Sequence, residues 1–313
     1  MKAKIALLFP GQGSQSVGML KELASAYPLL ESTYREASDA LGYDLWDVVQ
    51  NGSTEQLNQT DITQPALLTA GVAIWRIWCD QGGEKPLAMA GHSLGEYTAL
   101  VCANVFSLTD GVRLVRKRGE LMQQAVPAGQ GAMAAVLGLD DDVIEAVCKQ
   151  ASAGQVVAPV NFNSPGQVVI AGNKEAVERA TEQLKTAGAK KVVPLAVSVP
   201  SHCALMKPAA DLLRIELDAI NFQGSRIPVI NNVDARVETE ANAIRDALVR
   251  QMYSPVQWVK CMQHLLALGV NTGFECGPGK VLTGLNKRID KTFVGESLQD
   301  PQALHSALAI TEG

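Results

Sequence analysis

Residues 87–103 contain the sequence feature that most restricts how this chain can fold. An apolar segment, 87–90, is followed by Gly91-His92-Ser93-Leu94-Gly95 and a helical pattern over 94–103. A strand turns this sharply into a helix only with small residues on both sides, and both glycines are present. The turn exposes the serine hydroxyl at a helix N-terminus, where the dipole and free N–H groups favour an oxyanion. The pattern predicts a nucleophilic Ser93; the alternative is a glycine-rich turn without chemistry.

Strand and helix patterns alternate along most of the chain. Apolar residues at helical spacing predict helices, and short apolar runs bounded by turns predict strands. The predicted strands cover residues 4–9, 87–90, 228–231 and 272–275, and the predicted helices cover 17–26, 29–41, 65–79, 94–103, 108–125, 208–217, 241–252 and 256–268. Such alternation predicts a parallel sheet covered by helices.

Residues 130–197 show a different order of elements. Strands are predicted at 132–137, 156–161, 167–171 and 191–197, and helices at 141–151 and 174–187. This βαββαβ order is the ferredoxin-like pattern, with Ser164-Pro165-Gly166 as the turn between the two middle strands. We therefore predict an α/β fold in which a small ferredoxin-like subdomain, 128–198, is inserted into a large α/β domain formed by residues 1–127 and 199–313.

Composition and charge disfavour several classes of function. The 313 residues include 27 Lys and Arg against 32 Asp and Glu, a net charge of −5, and no basic block is available for nucleic acid or anionic lipid. Polar residues interrupt the longest apolar stretches, which are therefore much shorter than the ~20 apolar residues that a membrane helix needs. The apolar run at 5–9 is too short for a signal peptide. We expect a cytoplasmic protein without nucleic-acid or membrane partners.

The six cysteines do not have the spacing of a metal or redox site. No Cys-x-x-Cys pair occurs, and Cys261-x-x-His264 lacks the second pair of ligands that a zinc site needs. In a reducing compartment such thiols behave as small buried apolar side chains. We expect no metal site.

A nucleophilic serine needs a base within hydrogen-bond distance, and the chain offers four histidines. His264 lies in a helical pattern and His305 near the C-terminal end, so both are expected at surface or packing positions. His92 immediately precedes the serine, and alternation directs its side chain elsewhere. His202 follows the strand-like segment 195–199 in a loop, where strand-end catalytic groups lie in α/β sheets. We predict that His202 is the base.

Six motifs occur in order over nearly the whole chain. They are Gly11-Gln12-Gly13-Ser14-Gln15, Gly91-His92-Ser93-Leu94-Gly95-Glu96, Arg118-Gly119, Asn161-Phe162-Asn163-Ser164-Pro165-Gly166, Ser201-His202 and Gly277-Pro278-Gly279. Together they resemble the malonyl-CoA:acyl-carrier-protein transacylases of bacterial dissociated fatty-acid synthesis. The resemblance implies a hydrolase-like core and a ping-pong transfer of malonyl from malonyl-CoA to the phosphopantetheine thiol of acyl carrier protein. The coenzyme A thioester is then a substrate, and no cofactor is expected.

The same resemblance implies roles for six residues. Ser93 would be the nucleophile, His202 the base and Gln251 the residue whose backbone carbonyl orients that base. Gln12 and Leu94 would donate backbone N–H groups to the oxyanion, and Arg118 would bind the malonyl carboxylate.

Two of these residues have ordinary interpretations when the resemblance is set aside. Arg118 belongs to a basic helix face, 113–118, which we expect to be solvated, and Gln251 is a helix-end residue. A carbonyl behind the histidine, instead of a carboxylate, fixes the tautomer without adding negative charge near a malonyl anion.

Other classes of protein remain as alternatives. A serine hydrolase or thioesterase shares the serine and the histidine, and differs in admitting water to the acyl-enzyme. A polyketide-type acyltransferase with other acyl specificity is disfavoured by Leu94, which matches the malonyl-type motif. A nucleotide-binding module is disfavoured because Gly11-x-Gly13-x-x-Ser16 lacks the third glycine.

Overall fold

The computed structural model describes residues 3–196 and 199–312, which form two β-sheets and the helices around them. The strands are β1 (Ile5–Phe9), β2 (Ala88–Gly91), β3 (Gly131–Leu137), β4 (Val157–Ser164), β5 (Gln167–Asn173), β6 (Lys191–Pro194), β7 (Val229–Ile230), β8 (Thr272–Glu275) and β9 (Val294–Ser297). The helices are α1 (Lys21–Ala26), α2 (Leu29–Leu41), α3 (Leu45–Asn51), α4 (Thr54–Leu57), α5 (Thr60–Asp80), α6 (Leu94–Cys102), α7 (Leu108–Ala125), α8 (Asp141–Ala151), α9 (Lys174–Thr186), α10 (Lys207–Asp218), α11 (Ala241–Gln251), α12 (Trp258–Ala267), α13 (Val281–Ile289) and α14 (Pro301–Glu312). A single 3-10 turn, Ala204–Met206, leads into α10.

The larger sheet is parallel and has the strand order β7-β2-β1-β8-β9. All five residues of β1 are buried, and alternation divides them between two apolar clusters. Ile5, Leu7 and Phe9 contact one cluster, whereas Ala6 and Leu8 contact the other. Helices cover both faces, as the continuous apolar composition of a buried parallel strand requires. No helix in the described part of the chain is long and apolar enough to span a membrane.

The smaller sheet is antiparallel and has the order β4-β5-β3-β6. Helices α8 and α9 pack on one face through an apolar cluster that includes Val136, Ile144, Ile170 and Leu184. The order of these six elements confirms the predicted ferredoxin-like pattern. The predicted domain boundaries at 128 and 198 stay a prediction; residue 197, where the last predicted strand ends, and residue 198 lie outside the described residues.

The free face of the small sheet packs against the large part of the molecule. Met133, Val160, Val169 and Ala171 form a cluster with Cys203, which lies in the loop before α10. Backbone hydrogen bonds also join the segment before α12 to β4, since the Val256 N–H donates to the Val160 carbonyl (2.8 Å). These contacts bring the loop after β6 against the carboxyl ends of β1 and β2, where the candidate site lies.

Several element bounds agree with the sequence-based prediction and others do not. Helices 29–41, 108–125 and 141–151 have the predicted bounds. The helix predicted over 17–26 begins only at Lys21, because Leu20 has a left-handed backbone (φ 61°) that a helix cannot include. The helix predicted over 65–79 begins five residues earlier, at Thr60, and contains Pro65. Helices α3, α4, α13 and α14 and strand β9 were absent from the prediction.

The turn from β2 into α6 is closely packed against β1. A Cβ atom at Gly95 would overlap the Phe9 carbonyl oxygen, and a Cβ atom at Gly91 would overlap the backbone of Gly95. Because the obstructing atoms are all backbone, no side-chain rotation relieves these contacts. Gly95 is therefore required by the close approach of α6 to β1, and Gly91 by the tight turn from β2 into α6.

We expect Gly95→Ala to lower the free energy of unfolding by at least about 2 kcal/mol, because its methyl group collides with a fixed backbone carbonyl. Gly284→Ala is the matched control, since apart from its chain neighbours and the backbone of α13 itself no atom lies within 4 Å of its Cβ position. That control should gain roughly 0.5–1 kcal/mol from helix propensity. Urea unfolding followed by circular dichroism measures both variants, and equal stability of the two would contradict this account of the turn.

Candidate active site

Ser93 lies between the end of β2 and the first residue of α6, in a strained backbone conformation. Its φ is 53° and its ψ is −109°, values that a non-glycine residue seldom adopts. The Ser93 N–H donates to Asn232 Oδ1 (2.7 Å), and the Asn232 side-chain amide donates to the Gly91 carbonyl (2.7 Å). Asn232 thus holds the turn from behind and leaves the serine hydroxyl directed into the site.

His202 lies beside the serine, as predicted. The Ser93 hydroxyl and His202 Nε2 are 2.7 Å apart, and His202 Nδ1 is 2.7 Å from the Gln251 backbone carbonyl. A carbonyl oxygen only accepts, so Nδ1 bears the hydrogen and Nε2 presents its lone pair to the serine O–H. This tautomer is the one that a general base needs.

Burial keeps the imidazole of His202 neutral. The side chain is buried, and its desolvation, with a smaller contribution from the charge of Arg118, lowers the pKa of His202 to about 3. A neutral imidazole is ready to accept a proton at ordinary pH.

Arg118 is buried, with 1% of its surface exposed, and this finding corrects the expectation of a solvated side chain on the 113–118 face. Its guanidinium donates to Gln64 Oε1 (2.7 Å), Gln251 Oε1 (3.0 Å) and Ser93 Oγ (3.3 Å). It also lies 5.1 Å from the ring centroid of Tyr97. Within the described residues no carboxylate is in ion-pair distance of Arg118, so a buried cation is held beside the serine by neutral groups.

The Gln251 side chain connects the arginine to a buried carboxyl group. Its Nε2 donates to Glu96 Oε2 (2.8 Å) and to the Ser93 carbonyl (3.0 Å). The backbone N–H of Asn232 donates to the same Glu96 oxygen (2.9 Å). The sequence analysis assigned no role to Glu96, Asn232 or Gln64. For Glu96 a signal was available, because it is the single charged residue in the otherwise apolar helix 94–102.

The two residues expected to donate N–H groups also lie at this edge of the sheet. Leu94 is the first residue of α6, whose opening N–H groups have no acceptor within the helix. Gln12 follows β1, which pairs in parallel with β2 and aligns Phe9 with Gly91. The Gln12 side chain accepts a hydrogen bond from Thr60 Oγ1 (2.9 Å). Their role as oxyanion donors stays a prediction.

A cavity opens above the serine, between the two sheets. It is bordered by Gln12, Thr60, His92, Ser93, Met122, Met133, Asn161, Leu195, Val199, Ser201 and His202.

The other three histidines do not bind the serine hydroxyl. His92 Nε2 is 2.7 Å from Asn163 Oδ1, and His264 Nδ1 is 2.9 Å from the Ala235 carbonyl. His305 is exposed. Among residues 3–196 and 199–312, no three His, Cys, Asp or Glu side chains are placed to share a metal ion.

We expect the His202 imidazole to remain neutral from about pH 8 down to about pH 5, because its lowered pKa lies below that range. Nitrogen-15 NMR of histidine-labelled protein reports this directly, with His202→Ala to assign the signals and free imidazole as the internal standard. Protonation of His202 with a midpoint above about pH 6 would contradict the structure of the site.

Comparison with known proteins agrees with this geometry. The family model for the acyl transferase domain matches residues 6–299. A malonyl CoA-acyl carrier protein transacylase of Salmonella typhimurium is 62% identical, covering 97% of this chain and 99% of that protein. The solved structure of a malonyl CoA-acyl carrier protein transacylase from Coxiella burnetii aligns with a TM-score of 0.99 at 49% identity, covering 100% of this chain and 99% of that one. A malonyl-transacylase solved in complex with its type II PKS acyl-carrier protein aligns with a TM-score of 0.97 at 57% identity, covering 98% and 99%. The chain belongs to the acyl transferase family and, within it, to the malonyl CoA-acyl carrier protein transacylases.

Proposed function

We propose that this chain transfers a malonyl group from malonyl-CoA to the phosphopantetheine thiol of an acyl carrier protein, in fatty-acid biosynthesis, through a malonyl ester on Ser93. One observation supports this most strongly: the Ser93 hydroxyl lies 2.7 Å from the neutral base His202 and 3.3 Å from the buried guanidinium of Arg118. A nucleophile, a base and a cation that has no carboxylate partner in the described part of the chain together suit an acyl group that bears its own carboxylate.

In the first half-reaction, Ser93 Oγ attacks the thioester carbonyl carbon of malonyl-CoA while its proton passes to His202 Nε2. The backbone N–H groups of Gln12 and Leu94 are proposed to stabilise the resulting oxyanion. The C–S bond then breaks, the proton moves from His202 to the coenzyme A sulfur, and malonyl-Ser93 remains. Arg118 binds the malonyl carboxylate throughout, and the Gln251 carbonyl stabilises the protonated imidazole through Nδ1–H.

In the second half-reaction the same groups act in reverse. His202 takes the proton of the phosphopantetheine thiol, and the sulfur attacks the ester carbonyl of malonyl-Ser93. The ester C–O bond breaks and the proton returns to Ser93 Oγ. The names of the relatives, and the solved complex of a malonyl-transacylase with its carrier protein, support malonyl-CoA as donor and a carrier protein as acceptor.

The cytoplasmic location expected from the sequence remains a proposal, and cell fractionation tests it.

A serine hydrolase would use the same serine and histidine, with water in place of the thiol. Loss of malonyl-CoA that needs a thiol acceptor supports the transferase, and loss that proceeds equally without one supports the hydrolase.

We expect malonyl-CoA to add one malonyl group to the protein, on Ser93, because the acyl-enzyme forms before any acceptor binds. Intact-mass spectrometry and peptide mapping measure the adduct. Ser93→Ala should show none, whereas Ser201→Ala should retain it, because the Ser201 hydroxyl faces the Val199 carbonyl (3.5 Å). An adduct that persists in Ser93→Ala would exclude Ser93 as the nucleophile.

We expect Arg118→Ala to reduce malonyl transfer by roughly a hundredfold or more, because a malonyl carboxylate would then be desolvated without its charge-assisted bonds. Acetyl transfer should be equal or improved, since acetyl has no carboxylate to pair. Arg118→Lys should restore only part of the activity, because lysine keeps the charge and loses the planar fork.

The control for this prediction is Arg116→Ala on the same helix, since Arg116 bonds to Glu120 and to the Leu41 carbonyl, away from the cavity. Steady-state kinetics with malonyl-CoA and acetyl-CoA measure all three variants. An equal loss for both acyl groups in Arg118→Ala would show that the arginine is structural and does not select malonyl.

A further inference from the structure

Gln12, one of the two proposed oxyanion donors, makes a single hydrogen bond in the described part of the chain. Its side chain is exposed, and its Oε1 accepts that bond from the Thr60 hydroxyl (2.9 Å). Its backbone N–H has no acceptor among the described residues, which suits a group that is to bind an oxyanion. The proposed mechanism gives no role to Thr60, although this residue is buried and borders the cavity above Ser93.

Residues 11–14 form a turn whose shape is fixed by a bond within it. The Ser14 hydroxyl donates to the Gly11 carbonyl (2.9 Å), which belongs to the same peptide group as the Gln12 N–H. This bond sets the direction of the N–H inside the turn. Where the turn lies relative to Ser93 depends instead on its links to the rest of the molecule.

Two side-chain hydrogen bonds link residues 11–15 to other elements of the described structure. Gln12 accepts from Thr60, and Gln15 Nε2 donates to Asn58 Oδ1 (2.7 Å). The bond to Asn58 is exposed, so water competes for both of its partners. The bond to Thr60 involves a hydroxyl of a residue that is 2% exposed, beside the cavity. Thr60 is therefore the firmer anchor of the turn.

Close packing and a second hydrogen bond hold Thr60 itself in place. It is the first residue of α5, and this end of α5 lies against α7 at Gly119, where a Cβ atom would be 2.8 Å from the Thr60 carbonyl oxygen. The Thr60 hydroxyl accepts a bond from Gln64 Nε2 (3.0 Å), and Gln64 Oε1 accepts one from Arg118 (2.7 Å). Because an arginine only donates, the Gln64 amide turns its NH2 group to Thr60. The hydroxyl hydrogen then remains available for Gln12.

We propose that Thr60 is a positioning residue for the oxyanion site: its buried hydroxyl anchors the 11–14 turn and so places the Gln12 N–H beside the thioester carbonyl. The hydrogen bonds run in one direction, from the Arg118 guanidinium through two side chains of α5 to Gln12. One end of α5 thus holds both a group that would bind the malonyl carboxylate and a group that would bind the carbonyl oxygen. This inference rests on the proposed function, because it takes Gln12 as an oxyanion donor.

The test compares Thr60→Val with Thr60→Ser and with the control Thr69→Val. Valine has nearly the shape of threonine without the hydroxyl, and serine keeps the hydroxyl. Thr69 is buried in the same helix and donates to the Pro65 carbonyl (2.8 Å), within the helix. We expect Thr60→Val to lower kcat by roughly tenfold for both malonyl-CoA and acetyl-CoA, less than the roughly hundredfold or greater loss when an oxyanion donor is removed. Thr60→Ser should restore most of that loss, and Thr69→Val should leave kcat unchanged.

The KM for malonyl-CoA should change little in Thr60→Val, because the malonyl carboxylate would still meet Arg118. Gln64 keeps its bond to Arg118, and its Nε2 retains the Met122 sulfur as a weaker partner (3.7 Å). The ratio of malonyl to acetyl transfer should therefore stay as in the wild type, in contrast to Arg118→Ala. A loss confined to malonyl-CoA, or one expressed in KM alone, would contradict a role at the oxyanion.

The ester carbonyl of malonyl-Ser93 gives a direct reading of the oxyanion donors. Hydrogen bonds to this carbonyl lower its stretching frequency, which infrared difference spectroscopy measures when the malonyl group carries carbon-13. We expect the frequency to be higher in Thr60→Val and to return in Thr60→Ser. Lower stability alone does not move it, so a lower melting temperature with an unchanged frequency would show that Thr60 is structural.

Gln12→Met breaks the same hydrogen bond from its exposed side, because it removes the acceptor and keeps the backbone N–H. If the two residues act through one bond, Gln12→Met and Thr60→Val should lower kcat by about the same factor, and the double variant should lose no more. Losses that multiply would overturn the proposal. If Thr60→Val does not fold, Gln12→Met alone decides, and a wild-type kcat and carbonyl frequency in that variant would refute the anchor.

The wild type separates this inference from the function on which it rests. Wild-type enzyme that transfers no malonyl refutes the proposed function itself. Wild-type enzyme that transfers malonyl, with unchanged kcat in Thr60→Val and Gln12→Met, refutes only the role of Thr60.

Discussion

The contact between α6 and β1 is the constraint on which the rest of the site depends. Because Gly95 lies against the Phe9 carbonyl, β2 must turn into α6 within a few residues, and Ser93 takes a backbone conformation that is unfavourable by itself (φ 53°). The surrounding hydrogen bonds hold that conformation, chiefly the one from the Ser93 N–H to Asn232. The hydroxyl is therefore fixed before substrate binds, and the base and the guanidinium are arranged around it.

The electrostatics of the site follow from burial, since among the described residues no carboxylate contacts His202 or forms an ion pair with Arg118. In a triad with an acidic residue behind the histidine, a negative charge would lie near the incoming malonyl anion; here a backbone carbonyl orients His202 instead. Arg118 has neutral amide partners, and in the proposed function the carboxylate of the acyl group balances its charge. Under the proposed function, an acyl group without a carboxylate would leave the buried cation unpaired, and this would be the physical basis of selectivity.

Sequence patterns predicted much of the fold and the sharp turn that carries Ser93, because both depend on local features. Apolar periodicity located β1, β8 and the ferredoxin-like order, and glycine spacing located the turn at Ser93. The burial of Arg118 could not be predicted from its own helix, since it depends on amide acceptors from α5 and α11 that meet it only in the folded chain. Asn232 was hidden for the same reason, and Gln251 was named only through the family resemblance. Helices α3 and α4, of seven and four residues, are too short for the apolar repeat that periodicity detects.

The exchange of labelled coenzyme A into malonyl-CoA, measured without any carrier protein, tests the central claim most directly. If the acyl group rests on the enzyme between two independent half-reactions, labelled coenzyme A should enter malonyl-CoA at a rate comparable to overall transfer. The exchange should disappear in Ser93→Ala. Exchange that requires the carrier protein would mean that both substrates must be bound together, and would contradict a covalent intermediate on Ser93.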